Sequence, residues 1–239
     1  MYKLPSILLV VIRILNPTVS DKIRYYILMS KREIRMYILG DSISAGQYVD
    51  PDKKFTQLLQ NSNFFREKNI FLNVDAISGQ TSRQALLYFP EKLQIHKIDF
   101  LLIQLGINDS NYWLSEGGAH PRVSLESFRA NIEEIISRVR LKNISKIALL
   151  TNHKLSKKIS VDKRVFLLED SKSAYDDVVR QVAKSNDVSC YDVSNAWESI
   201  PNFSQKKLLL DDGVHLSETG HTNYALIIEE FLKNDEFFP

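Results

Sequence analysis

The 239-residue chain has one cysteine, Cys190, so no internal disulfide can form, and no Cys/His cluster shows the spacing of a zinc site. It also lacks an excess of either charge. Lys+Arg 31 against Asp+Glu 29 leaves a net +2, and without a basic field nucleic acid is not an expected partner. No apolar run approaches the ~20 residues that a membrane-spanning helix requires. The best candidate, Leu4 to Leu15, is short and is interrupted by Pro5, Ser6 and Arg13. Internal repeats, low-complexity tracts and long Pro/Gly linkers are missing too, so nothing marks a second folded domain.

What is present fits an ordinary globular protein: hydrophobic residues make up 44% and charged residues 25%, which argues against extensive disorder. The charge is nevertheless uneven. Residues 1–35 hold seven basic and two acidic side chains, a net +5, which leaves the remainder at −3. We read residues 1–35 as a basic, partly apolar extension and residues 36–239 as the functional domain. The extension reads first as an accessory helix or loosely ordered segment, with weak membrane-surface contact as the second reading. As an export signal it is poorly formed, since no small-x-small cleavage pattern follows in Asn16-Pro17-Thr18-Val19-Ser20. The expected compartment is the cytoplasm, with export as the alternative.

Apolar runs rich in β-favouring residues recur at Met36–Leu39, Phe71–Ile77, Ile98–Leu105, Ile147–Thr151 and Val188–Val193, separated by helix-like stretches. This alternation predicts the α/β class with a mainly parallel sheet. The clearest helix spans Leu125–Leu141, where Phe128, Ile132, Ile135, Ile136 and Val139 recur at spacings of three and four and Ser124 is a natural N-cap. Further helices fit Ser171–Ala183 and Glu218–Leu232, the latter capped by Ser217.

Three short motifs carry chemistry: Gly40-Asp41-Ser42, Gly106-Ile107-Asn108-Asp109 and Asp212-Gly213-Val214-His215. The first two follow predicted strands. In an open α/β sheet, residues beyond the carboxyl ends of separate strands converge on one ligand site. The residue types suit acyl transfer: Ser42 as nucleophile, His215 as base, Asp212 to orient it, and Asn108 with backbone N–H groups to receive an oxyanion. Each motif also has a plain structural reading. Asp41 and Ser42 are common N-caps after a strand, and Asn108 suits a turn. Asp211 is the alternative orienting carboxylate. His221, the nearest rival to His215, falls inside the last helix, where packing or surface exposure is its expected role. Ser42 lacks the second glycine of a Gly-x-Ser-x-Gly elbow, which argues against an α/β-hydrolase.

In this order the motifs resemble the blocks of the SGNH family, also called GDSL hydrolases. Gly40-Asp41-Ser42-Ile43 matches the first block, with Ile43 where the family name expects Leu. Gly106-Ile107-Asn108-Asp109 matches the third, and Asp212-Gly213-Val214-His215 the last. The resemblance runs from about Met36 to the C-terminus. It implies a three-layer α/β/α sandwich of flavodoxin-like type with a five-stranded sheet. It also makes Gly79, in Ile77-Ser78-Gly79-Gln80-Thr81, the second-block glycine, so that Ser42, Gly79 and Asn108 form the oxyanion hole, and it favours Asp212 over Asp211. Asp109 is expected to brace its turn. The implied activity is that of a serine esterase working through an acyl-enzyme, without metal or organic cofactor.

The stretch from Ser110 to Pro121 reads as a loop over the site, with Tyr112 and Trp113 as candidates to stack on a sugar ring or line an acyl pocket, packing being their simpler role. Lys154, Lys157, Lys158, Lys163 and Arg164 read as a solvated charged loop. No long apolar lid favours a lipid substrate. The expected substrate is a small-molecule or saccharide ester of a short acyl group, acetyl first. Two rival functions are an O-acyltransferase with the same triad and a non-catalytic saccharide-binding module, the second having no need of a nucleophile and base.

Overall fold

The computed structural model describes residues 32–115, 118–144, 146–161, 164–200 and 204–238. Residues 1–31, and with them most of the basic extension, lie outside the described residues. Five strands form the central sheet: β1 (Ile34–Gly40), β2 (Ile70–Ala76), β3 (Phe100–Gln104), β4 (Lys146–Leu150) and β5 (Ser189–Tyr191). Their spatial order is β2-β1-β3-β4-β5, every pair parallel. This is the flavodoxin-like order. The chain winds one way from β1 to β2 and the other way from β3 onward, so a crevice opens beyond the carboxyl ends of β1 and β3.

Parallel strands covered on both faces read as continuous apolar runs. All five residues of β3 are buried, as are the last five of β1. The period of two splits them between two cores. Met36, Ile38, Phe100, Leu102, Ala148 and Leu150 point to one side. Tyr37, Leu39, Leu101, Ile103, Ile147 and Leu149 point to the other. Five helices matter here: α1 (Ser42–Ala45), α2 (Ser82–Ile95), α3 (Leu125–Leu141), α4 (Leu168–Ser185) and α5 (Glu218–Lys233). Helices α2, α3 and α4 cover the second face with Phe89, Ile132 and Val179 among others, and α5 covers the first with Tyr224, Ile228 and Leu232. The five apolar residues that define the α3 stripe are all buried. Each such side chain contributes about 1.5–3 kcal/mol relative to exposure.

Ser124 and Ser217 cap α3 and α5, accepting hydrogen bonds from the N–H groups of Ser127 and Gly220. Helix α4 begins at Leu168 rather than Ser171, because Leu168 is buried and Glu169 and Asp170 suit the positive end of the helix. The stretch from Ser110 is not a plain loop. After a single helical turn at Ile107–Ser110, Tyr112–Ser115 pairs antiparallel with Gly118–Pro121. The basic segment likewise contains a hairpin, Lys158–Val161 against Arg164–Leu167. Among the described residues no helix is long and apolar enough to cross a membrane.

Candidate active site

The carboxyl ends of β1, β3 and β4 are tied by a buried polar chain. Ser44 Oγ donates to Gln104 Oε1 (2.8 Å), Gln104 Nε2 to Asn152 Oδ1 (2.7 Å), and Asn152 Nδ2 to the Leu105 carbonyl (2.9 Å). Buried polar groups rigidify a site when each finds its partner, which these do. Above this floor Gly40 ends β1 and Asp41 caps α1, its Oδ1 accepting the Ile43 N–H at 2.9 Å. Ser42 is therefore the first residue of a helix, where backbone N–H groups lack helical acceptors.

His215 arrives from the other end of the chain. Its Nε2 lies 2.9 Å from Ser42 Oγ and its Nδ1 lies 2.5 Å from Asp212 Oδ2. Asp212 Oδ1 accepts the N–H groups of Val214 and His215, both at 2.9 Å, so one carboxylate shapes the turn and grips the ring. Burial opposes ionisation of Asp212, but the His215 ring and these two N–H groups outweigh it and hold the carboxyl below its ordinary range. Gly213 completes the turn at φ 68°. A Cβ there would approach the Lys157 nitrogen to 2.6 Å, so the loop packs backbone to backbone on Ser156 and Lys157, whose N–H groups both donate to the Gly213 carbonyl. An imidazole so held can accept a serine proton while the carboxylate keeps its other nitrogen protonated. The contact to His215 is made by Asp212, and Asp211 is exposed.

Asn108 and Gly79 face the same space. Asn108 Nδ2 donates to Asp41 Oδ2 (3.4 Å), and Arg122 reaches both groups, with Nη1 to Asn108 Oδ1 (3.3 Å) and Nη2 to the Gly79 carbonyl (3.0 Å). Asp109 points away from the cavity and braces the turn. Its carboxylate accepts the Ser82 N–H (3.0 and 3.1 Å) and hydroxyl (2.5 Å), fastening the turn after β3 to the start of α2. Burial pushes Asp41 up to about 7, despite hydrogen bonds from Ile43, Gln104 and Asn108 that favour its charged form. Burial likewise pushes Asp109 up to about 6, against the pull of Ser82 and Arg122.

One cavity of about 350 Å³ is lined by Ser42, Gly79, Asn108, Asp212 and His215 together with Gln47, Ser78, Asn111 and Lys157. The structure thus brings five of the seven candidate residues to one space. Among the described residues, half-buried Tyr112 does not line the cavity whereas Asn111, one residue earlier, does; the Trp113 side chain lies outside the described residues. Of the basic segment, Lys157 lines the cavity, and Lys154 is paired with Glu198 (3.3 Å) and Glu169 (3.6 Å). His221 packs in the interior of α5, stacked on Phe55 and accepting the Phe55 N–H on Nδ1 (3.3 Å).

Four side chains escape a motif search. Gln104 belongs to the floor, and Arg122 is bonded to two residues that line the cavity, Asn108 and Gly79. His153 is fully buried, its Nε2 2.8 Å from the Val214 carbonyl beneath the His215 turn, and burial pushes it down to about 3. Tyr48 is 70% exposed with φ 71°, and its ring stands edge-on to His215 at 5.0 Å between centroids. A bulky residue in the left-handed region carries a cost of about 1–2 kcal/mol. Only Gln104 and Arg122 leave a trace in the sequence, one as the polar end of an apolar strand and the other as a basic residue just ahead of the α3 cap.

The family model for the GDSL-like lipase/acylhydrolase family matches residues 38–222. The isoamyl acetate-hydrolyzing esterase of Schizosaccharomyces pombe is 28% identical over 210 residues, covering 87% of this chain and 78% of the yeast protein. An arylesterase of Vibrio mimicus is 32% identical over 80 residues, 34% of this chain, and the match spans only 40% of the arylesterase. Among solved structures, the acetyl xylan esterase AlAXEase has the same fold with a TM-score of 0.68 at 20% identity, over 83% of this chain and 99% of that one.

Proposed function

Because the chain belongs to the GDSL-like lipase/acylhydrolase family, we propose that it is a serine esterase that cleaves short-chain carboxylic esters through an acyl-enzyme. The observation that carries this reading is the unbroken path from Asp212 to His215 to Ser42, at 2.5 and 2.9 Å, opening on a cavity that Asn108 and Gly79 also line. Ser42 Oγ attacks the ester carbonyl as His215 Nε2 takes its proton. The carbonyl oxygen becomes an oxyanion that the Asn108 Nδ2, with the N–H groups of Ser42 and Gly79, receives. The tetrahedral centre collapses, the C–O bond to the alcohol breaks, and His215 returns the proton to the leaving alkoxide. Water then attacks the acyl-serine by the same route, releasing the acid and restoring Ser42.

The cavity supports a small acyl group and a polar alcohol. Its volume is at the low end of the ~300–1,000 Å³ usual for ligand pockets. Gln47, Ser78, Asn111 and Lys157 bring polar or charged groups, against Ile107, Leu168 and Val214 on the apolar side. Two of the similar proteins are named for acetyl esters, which favours acetyl. The test is a panel of p-nitrophenyl esters from acetyl to decanoyl, followed by acetylated saccharides with and without a free sugar acceptor. Hydrolysis that peaks at acetyl and extends to acetylated sugars supports the proposal. A peak at long chains would move the protein to lipids, and acyl transfer to the sugar in preference to water would make it a transferase.

A further inference from the structure

Arg122 follows the hairpin and belongs to none of the motifs, yet it joins the two oxyanion-hole candidates that come from separate segments. Its Nη1 donates to Asn108 Oδ1 (3.3 Å) and its Nη2 to the Gly79 carbonyl (3.0 Å). The backbone beneath it is fastened to the same turn, since the Arg122 N–H donates to the Asn111 carbonyl (2.8 Å) and the Val123 N–H to the Asp109 carbonyl (3.2 Å). Two physical consequences follow. An asparagine amide can exchange its donor and acceptor ends by turning over, at almost no steric cost, but a guanidinium only donates and so requires the amide oxygen to face it. That fixes the Asn108 NH2 on the opposite side, where it reaches Asp41 Oδ2. Gly79 poses a different problem. It stands at φ 79° in a turn closed by the Gln80 N–H to the Ile77 carbonyl, and a Cβ added to it would meet nothing within 4 Å. The space beside this glycine on its Cβ side is therefore open, and the Arg122 hydrogen bonds connect it to Asn108.

We propose that Arg122 is a positioning residue that locks Asn108 and Gly79 into one oxyanion-binding arrangement and, by drawing charge through the amide, makes the Asn108 N–H a stronger donor. The inference rests on the acyl-transfer reading above. Hydrogen bonds in a chain polarise one another, so a cation on the amide oxygen strengthens the donor at the other end. Since removal of a whole oxyanion donor costs ~10²–10³ in turnover, misplacing one costs less, on the order of 10–100-fold.

The experiment compares Arg122→Met, Arg122→Lys, Asn108→Ala and the Asn108→Ala/Arg122→Met pair on p-nitrophenyl acetate, with kcat and KM determined separately and folding checked by thermal melting. Arg122→Met should lose about 10–100-fold in kcat with little change in KM. Arg122→Lys, a point charge in place of a fork, should recover part of that loss, as should guanidinium ion added to Arg122→Met. In the Asn108→Ala background the Arg122 substitution should cost less than it does in wild type, because only the Gly79 contact is left to lose. Should Arg122→Met fail to fold, Arg122→Lys carries the test with a smaller kcat loss. The inference is overturned by wild-type kcat in the methionine variant, or in the lysine variant where it carries the test. A loss confined to KM, or an undiminished loss in the Asn108→Ala background, would overturn it equally. An Asn108→Ala protein with full kcat would remove the oxyanion hole itself, and this inference with it. A crippled Asn108→Ala beside an unaffected Arg122→Met refutes the inference alone.

Discussion

Replacing Asp212 by Asn tests the geometry of the site one bond at a time. Three hydrogen bonds end on this carboxylate. The two from the Val214 and His215 N–H groups fall on Oδ1, which an amide oxygen reproduces, so the turn should survive. The third falls on the other oxygen, where the amide presents NH2 instead of an acceptor. His215 Nδ1 must then accept rather than donate, which leaves the ring proton on Nε2, 2.9 Å from Ser42 Oγ, where an acceptor is required. In the serine-protease triad this same exchange costs about 10⁴ in kcat, or about 5.4 kcal/mol of transition-state stabilisation. A similar loss is expected here. The cost in stability should be small, because the Asp212 side chain is 40% exposed and keeps two of its three partners. The assay is turnover of p-nitrophenyl acetate with a thermal melt of the same sample, and Asp211→Asn as control, expected within about twofold of wild type. A loss below tenfold for Asp212→Asn, or a larger loss for Asp211→Asn, would refute the reasoning.

Gly213→Ala should lower kcat well beyond its effect on melting, because a Cβ 2.6 Å from the Lys157 nitrogen must lift the turn that carries Asp212 and His215; unchanged kcat would show that the turn has slack. Tyr48→Gly should leave stability unchanged or raise it by up to about 1 kcal/mol, since glycine tolerates φ 71°. The Tyr48 ring stands edge-on to the His215 ring that protonates the leaving alkoxide, so the same change should raise KM for esters of bulky alcohols more than for methyl acetate, and equal KM changes for both would refute this. Stability should fall on acidification through His221, which burial, with smaller contributions from Lys54 and His215, pushes down to about 4. Unfolded histidine titrates near ~6.5, so between the two values the unfolded chain binds more protons and the folded state loses ground as pH drops. Buried Asp41 and Asp109 act in the opposite sense, their raised folded values stabilising the protein as pH falls from about 7 toward 4. The difference between wild type and His221→Gln isolates the histidine. Chemical denaturation should show wild type losing up to about 2 kcal/mol more than the variant between pH 7 and pH 5, and parallel curves would refute this.

The strands were legible because parallel, doubly covered strands leave uninterrupted apolar runs, as Phe100–Gln104 does within Ile98–Leu105. Helix α3 was legible to the residue, its cap and stripe both being local signals. Strand order is a matter of long-range pairing, and it came from the family resemblance rather than from any run of residues. The motifs at Ser42, Asn108 and His215 could be read because each stands at an element boundary, where polar residues interrupt an apolar pattern. Trans-sheet partners could not. Nothing near Arg122 in the chain indicates that its guanidinium spans to Gly79, and nothing near Gln104 indicates Ser44 and Asn152 as its partners. The Tyr112–Pro121 hairpin was missed because its glycines and proline read as loop, although Tyr112, Trp113 and Leu114 favour a strand.

The central claim is that Ser42 is the nucleophile that His215 activates. It is tested most directly by incubating the protein with a fluorophosphonate probe and mapping the modified peptide by mass spectrometry, alongside Ser42→Ala and His215→Ala. The account requires one phosphonyl adduct on Ser42, none in Ser42→Ala, and labelling slowed by orders of magnitude in His215→Ala. An adduct on another residue, or ester turnover that persists in Ser42→Ala, would contradict it.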